Sequence, residues 1–223
     1  MKKRLSVTLA VVLGLIPLVC MSQSSDVSWP DLLNTAKNVD YLTLLEKEII
    51  HEMNKVRTNP KVYAQYIRQH RAYYSSDGSL IERPGEIPIR TKEGFKAVDE
   101  CIAELENAQP VGILQPEEAL SKASVLLAQY QSETGERGHV GPDGMSMKQR
   151  IEQFGDSNRW IAENCSYGNN DARRIVIQLL IDDGVASRGH RENMLNAKYV
   201  NCGVSINTHP VYRYLCVIDY ASE

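Results

Sequence analysis

No Cys-x-x-Cys pair occurs anywhere in the 223 residues, which argues against a cysteine-based zinc or thiol redox centre. Positive charge is in short supply as well: 25 Lys and Arg stand against 28 Asp and Glu, a net charge of −3. A mildly acidic chain has no electrostatic footprint for nucleic acid. No internal repeat or low-complexity tract is present. Long apolar runs are confined to Leu5–Val19, and that run is broken by Ser6, Thr8 and Pro17. It is too short and too interrupted to span a bilayer.

What is there begins with that same segment. Lys2, Lys3 and Arg4 precede the apolar run, and Cys20, Met21 and a polar SQSSD follow it. This is the layout of a secretory signal peptide, here residues 1–22. Cleavage near 20–25 is the expectation, with a lipoprotein anchored at Cys20 as the lesser alternative. The residues before Cys20 (Pro17, Leu18, Val19) lack the small side chain expected ahead of a lipidated cysteine. Without this segment, 22 basic and 28 acidic residues remain, a net charge of −6. About 200 residues suffice for one domain with a substantial core. The destination is secreted or periplasmic, with no transmembrane segment after cleavage. Cys101, Cys165, Cys202 and Cys216 remain. An oxidising compartment permits one or two disulfides among them, and free cysteines would instead pack as small buried hydrophobes.

Residues 23–39 are polar and expected to be loosely held. From Tyr41 to Val56 apolar residues recur at helical spacing, and Asn59–Pro60 should stop that helix. A second helix is expected from Pro60 to about Ala72, then a loop with a short extended piece at 87–90. Thr91 is placed to cap a helix running to Asn107, and Pro116 to open another. The GERGHVGPDG stretch reads as a loop. Ser146 and Gln149 form a capping box for a helix ending at Gly155. Residues 160–167 read as a strand, and Ile175–Leu180 as a helix ending near Asp183–Gly184. Residues 203–207 and 212–220 read as a closing hairpin. Helices with a small, mainly antiparallel sheet make an α+β fold.

Titratable groups concentrate between Gly138 and Leu195. His139 and His190 bracket Glu163 and the pair Asp182–Asp183. Neutral imidazoles with carboxylates suit zinc and similar divalent cations, and they suit proton transfer equally well. The separations match no local metal motif, so only the fold could assemble such a site. His51-Glu52 opens an HExxH pattern, but Lys55 stands where the second histidine belongs, so this reads as surface helix. Cys165 near Glu163 suggests a thiol nucleophile, with an oxidised or buried cysteine as the plainer reading. Ser187 reads as a helix cap ahead of His190.

The order of EIIHEMNKVRTNP, LQPEEALSKASVLLAQY, HVGPDG, AEN at 162–164, RGHRENML at 188–195 and the closing CGVSI and YLCVIDYA resembles the CAP superfamily. That superfamily comprises cysteine-rich secretory proteins, antigen 5 and pathogenesis-related proteins, and the likeness is to its bacterial SCP-like extracellular branch. The resemblance spans about 41–221, giving a domain at 40–221 with a helical insertion near 72–113. It implies a three-layer α-β-α sandwich with a cavity that holds a divalent cation, zinc or magnesium. His139, Glu163 and His190 match the family positions, and Asp183 matches the second acid, with Asp182 as the alternative. Leu180 stands where the family usually has tryptophan, and Ala162 where it has glycine. Asn54 and Arg57 match family positions that serve packing and polar bonds. The implied function is a secreted protein with a cation cavity and a groove for a lipid, sterol-like or peptide ligand. An extracellular hydrolase and a structural or adhesive module are the alternatives.

Overall fold

The computed structural model describes residues 27–223; the expected signal peptide and Cys20 lie outside them. Helices α1 (Leu44–Thr58) and α2 (Pro60–Arg71) come first, followed by a two-residue hairpin of β1 (Leu80–Ile81) and β2 (Ile89–Arg90). Then come α3 (Phe95–Asn107), β3 (Gln115–Pro116), α4 (Glu118–Thr134) and α5 (Met147–Glu152). β4 (Ile161–Tyr167), α6 (Ala172–Ile181), α7 (Gly189–Leu195), β5 (Asn201–His209) and β6 (Arg213–Ala221) complete the chain. Strand order in the main sheet is β3-β5-β6-β4. β5 and β6 form the closing hairpin, β4 pairs antiparallel with β6, and β3 lies parallel to β5. This is the α+β sandwich expected of the sequence.

The local signals act as expected in several places. Thr43 and Ser146 each accept from the backbone N–H three residues on, with Glu46 and Gln149 returning the bond, so α1 and α5 both start on capping boxes. Asn59 ends α1, and its side chain caps α2, which begins on Pro60. Other signals were displaced. Thr91 does not cap α3; its hydroxyl donates to Gly78 O, and the helix starts after Gly94. Ser187 does not cap α7; Arg188, in a left-handed conformation, occupies that position.

Alternation along the strands sends side chains to two faces. Leu215, Val217 and Ala221 pack with Leu120, Ala123, Leu127 and Ala128 of α4. Cys216, Ile218 and Tyr220 join the larger core with α1, α6 and α7. At Gly203 a Cβ would come within 2.1 Å of the Leu120 carbonyl carbon, so only glycine lets α4 lie this close to β5. Residues 27–39 are not loosely held: Leu33 and Ala36 are buried, and the Asn54 amide donates to Leu33 O at 2.9 Å. Asn54 also accepts from Leu114 N at 2.7 Å. Arg57, fully buried, donates to the carbonyls of Gly112, Met194, Asn196 and Tyr199. These two side chains stitch α1 to three distant loops. Among the described residues the four cysteines, Cys101, Cys165, Cys202 and Cys216, are buried free thiols.

Candidate functional site

Glu163 lies in β4, the edge strand, on the face toward α4. It is almost fully buried, and Arg150 of α5, fully buried too, ion-pairs with its Oε2. A second bond from Arg150 goes to His139 O at 2.9 Å. One guanidinium therefore ties the loop before α5 to the sheet. His139 Nδ1 donates to Glu163 Oε1 at 2.8 Å. This bond raises the His139 pKa above 6.5, against the opposing effect of partial burial. The ring remains more than half exposed, and its Nδ1 is the atom committed.

Behind Glu163 lies Asp219, its neighbour across the β4–β6 ladder. Asp219 is fully buried and accepts from Ser124 Oγ at 2.8 Å, while its Oδ1 has no partner. Burial and the nearby Glu163 push its pKa well above the usual carboxylate range. One buried cation thus pairs with Glu163, and the upward shift at Asp219 favours its neutral form, which limits uncompensated charge here.

The second histidine is held differently. Asp182 ends α6 in the left-handed conformation, φ 54°, which aspartate tolerates better than most residues. Its Oδ1 accepts from His190 Nδ1 at 2.6 Å and its Oδ2 from His190 N at 3.0 Å. Asp183, the acid matched on sequence, does not meet His190. Beyond the left-handed turn it points the other way and accepts from the backbone N–H groups of Lys92 and Glu93, at 2.6 and 2.7 Å. Asp182 is therefore the acid paired with His190, and Asp183 anchors the start of the insertion helix.

The insertion returns the contact. Arg188 donates to both oxygens of Glu93 and both of Glu100. Arg191, fully buried, pairs with Glu100 and Glu104. Arg188 holds the carboxyl groups of Glu93 and Glu100 down at about 2. The residues flanking His190 are thus clamped to α3.

Asn164 links the two halves. Next to Glu163 in β4 but on the opposite face, it donates to His190 O at 2.9 Å and accepts from Asn193 at the same distance. Consecutive residues of one edge strand hold one histidine on each side of the sheet. The four side chains singled out on sequence are therefore brought together as pairs, His139 with Glu163 and His190 with Asp182. His139, Glu163 and Cys165 offer ligand atoms all within 4.8 Å of one another, close enough to hold a metal ion, and among the described residues no other such trio occurs. Cys165 Sγ lies 3.8 Å from His139 Nδ1. Burial, Glu163 and Asp219 push this thiol's pKa well up, and a thiol held protonated is not an activated nucleophile.

Arg150, Asp219 and Asn164 were not among the sequence candidates. Arg150 carried a faint signal, a lone arginine on the buried face of a capped helix. Asp219 carried none. His51-Glu52 also differs from expectation: Glu52 is buried, bonded to Lys55 at 2.5 Å and to Tyr63 at 2.9 Å. Two clefts are lined largely by charged and polar side chains. One, of about 520 Å³, lies between α1, α2 and α6; the other, about 490 Å³, adjoins Trp160 and the C-terminus. Neither includes a candidate histidine of the β4 edge.

With the sandwich and its paired histidines in view, comparison with known proteins fits the same class. The model of the cysteine-rich secretory protein family, CAP, matches residues 50–220, and the chain belongs to that family. Among solved structures it is similar to an outer surface protein from Borrelia burgdorferi, at 18% identity and a TM-score of 0.43, over 51% of this chain and 80% of that one. It is also similar to an extracellular protein containing an SCP domain from Bacillus anthracis str. Ames, at 16% identity and a TM-score of 0.44. That match covers 57% of this chain but 39% of the Bacillus protein. No curated protein matches the chain. Among the described residues no helix is long and apolar enough to cross a membrane.

Proposed function

We propose that this is an exported CAP-domain protein that holds a divalent cation, zinc before magnesium, at the β4 edge. The observation that carries this reading is the matching state of the two rings. Each commits Nδ1 to a buried carboxylate, which orients the imidazole and fixes its tautomer. Nitrogen donors favour zinc over magnesium, which prefers oxygen. His139 and His190 would be the ligands, and Glu163 and Asp182 the groups that orient them. The His139–Glu163–Cys165 trio fits a cation less well, because Arg150 already occupies Glu163 and the thiol resists ionisation. A bound zinc ion would supply Lewis acidity and an activated water. A hydrolytic reading lacks a protein nucleophile: among the described residues no serine or threonine hydroxyl bonds to either ring. Neither cleft has the apolar wall that a lipid or sterol-like ligand would need.

Zinc and magnesium titration by calorimetry, comparing the mature protein with a His139→Ala, His190→Ala double variant, tests this. Zinc uptake that the double variant loses supports the site. Equal uptake by both proteins sinks it.

A further inference from the structure

We propose that the cleft between α1, α2 and α6 binds a small anion bearing a carboxylate or phosphate group, gripped by Arg83 and His70. This site is independent of the cation reading and lies away from the β4 edge. Its volume of about 520 Å³ admits a small molecule.

The cleft's acids are largely spent. Glu52 accepts from Lys55 at 2.5 Å, Tyr63 at 2.9 Å and Arg173 at 3.3 Å. Asp171 caps α6. Glu86, just outside, is held by Arg174 through two bonds of 2.7 and 3.0 Å. Glu48 stands exposed at the rim. Arg83 has no carboxylate within ion-pair distance among the described residues. One of its nitrogens donates to His70 Nδ1 at 2.8 Å, and its guanidinium lies over the Tyr73 ring, 5.1 Å from the centroid.

An arginine only donates. His70 Nδ1 must therefore accept, so its proton sits on Nε2 and the ring is neutral. Burial, with Arg83 and Arg174 close by, holds the His70 pKa down at about 4, in keeping with this tautomer. What remains for a ligand is donors: the other N–H groups of Arg83, His70 Nε2–H and the flanking Gln69 amide. Planar donors on an unneutralised guanidinium suit a carboxylate or a phosphate, and an uncharged ligand would leave that charge unmet.

The test is titration of the full mature protein with inorganic phosphate, citrate and glucuronate at constant ionic strength, with glucose as the uncharged control. Binding is followed by calorimetry and by the ring signals of His70. Saturable binding of at least one anion is expected, with perturbed His70 signals. Binding of phosphate alone would identify a phosphoryl ligand; binding of citrate or glucuronate alone would identify a carboxylate. Arg83→Gln should weaken binding at least tenfold, and Arg83→Lys by less, since charge is kept and the fork is lost. Arg83 lies on a surface loop, and circular dichroism checks that both variants fold. The His139→Ala, His190→Ala protein should bind the anion unchanged, which separates this site from the cation site. No anion binding at millimolar concentration, glucose bound as tightly as glucuronate, or wild-type affinity in Arg83→Gln would each overturn the proposal.

Discussion

The same unit, an imidazole resting on a buried carboxylate, is built twice in this protein and supported in two ways. The His139 half leans on the core. One fully buried arginine, Arg150, fixes both Glu163 and the loop carbonyl of His139. The His190 half leans on an insertion, through Arg188 and Arg191 reaching to partly exposed acids in and just before α3. A buried pair has no water to take over when a partner is removed, whereas acids that reach solvent regain water when their arginine is lost. The first support is strong and brittle; the second is distributed and open to salt and acid.

The largest break should come at Arg150. Arg150→Met leaves Glu163 buried without its cation beside Asp219 and should cost about 3–5 kcal/mol in denaturant unfolding. Similar stability to wild type would show that the core support is not electrostatic. Arg188→Ala should cost about 1–2 kcal/mol, because Glu100 is 41% exposed and water replaces part of what is lost. Hydrogen exchange should rise over 182–195 and 92–104, with the 138–150 loop unchanged. If both regions loosen together, the two supports are one.

Asp182→Asn and Asp183→Asn sharpen the contrast between neighbours. The first should disturb the His190 ring signals, the second the amides of Lys92 and Glu93. The reverse pattern would restore Asp183 as the partner of His190. Acid separates the halves as well. The carboxyls of Glu93 and Glu100 are depressed from 4.5 to about 2. Their contribution is therefore present above 4.5 and lost as pH falls through about 2. Protection factors at 92–104, corrected for the intrinsic exchange rate, should fall on acidification across that window, and added salt, which screens the pairs, should shrink the effect. The smallest expected effect concerns His139. Its pKa is raised above 6.5, so its contribution is complete below 6.5 and disappears as pH climbs through the raised value. Glu163→Gln should lower the His139 titration midpoint seen by NMR; an unchanged midpoint would show that the carboxylate does not set it.

Much of this was legible in the residues themselves. The capping boxes at Thr43 and Ser146, Pro60 at the start of α2 and the alternation in the closing hairpin are local, and local signals survive in the fold. Other signals misled because a distant partner displaced the local one. Thr91 spends its hydroxyl on Gly78, and Asp182, from eight residues upstream, accepts from the backbone N–H of His190 in the turn that Ser187 was expected to cap. Residues 27–39 read as polar and loose, yet Leu33 and Ala36 reach the core.

Periodicity, caps and motif order are carried by neighbouring residues, and they were enough for the α+β class and the family. Tertiary structure alone decided that Asp182 and not Asp183 faces His190, since a left-handed residue at the end of α6 turns adjacent side chains apart. It alone placed Arg150 and Asp219 behind Glu163, and it alone divided the four residues into two pairs across one edge strand. Those outcomes depend on which groups share a low-dielectric interior, and residues far apart in the chain settle that only by packing.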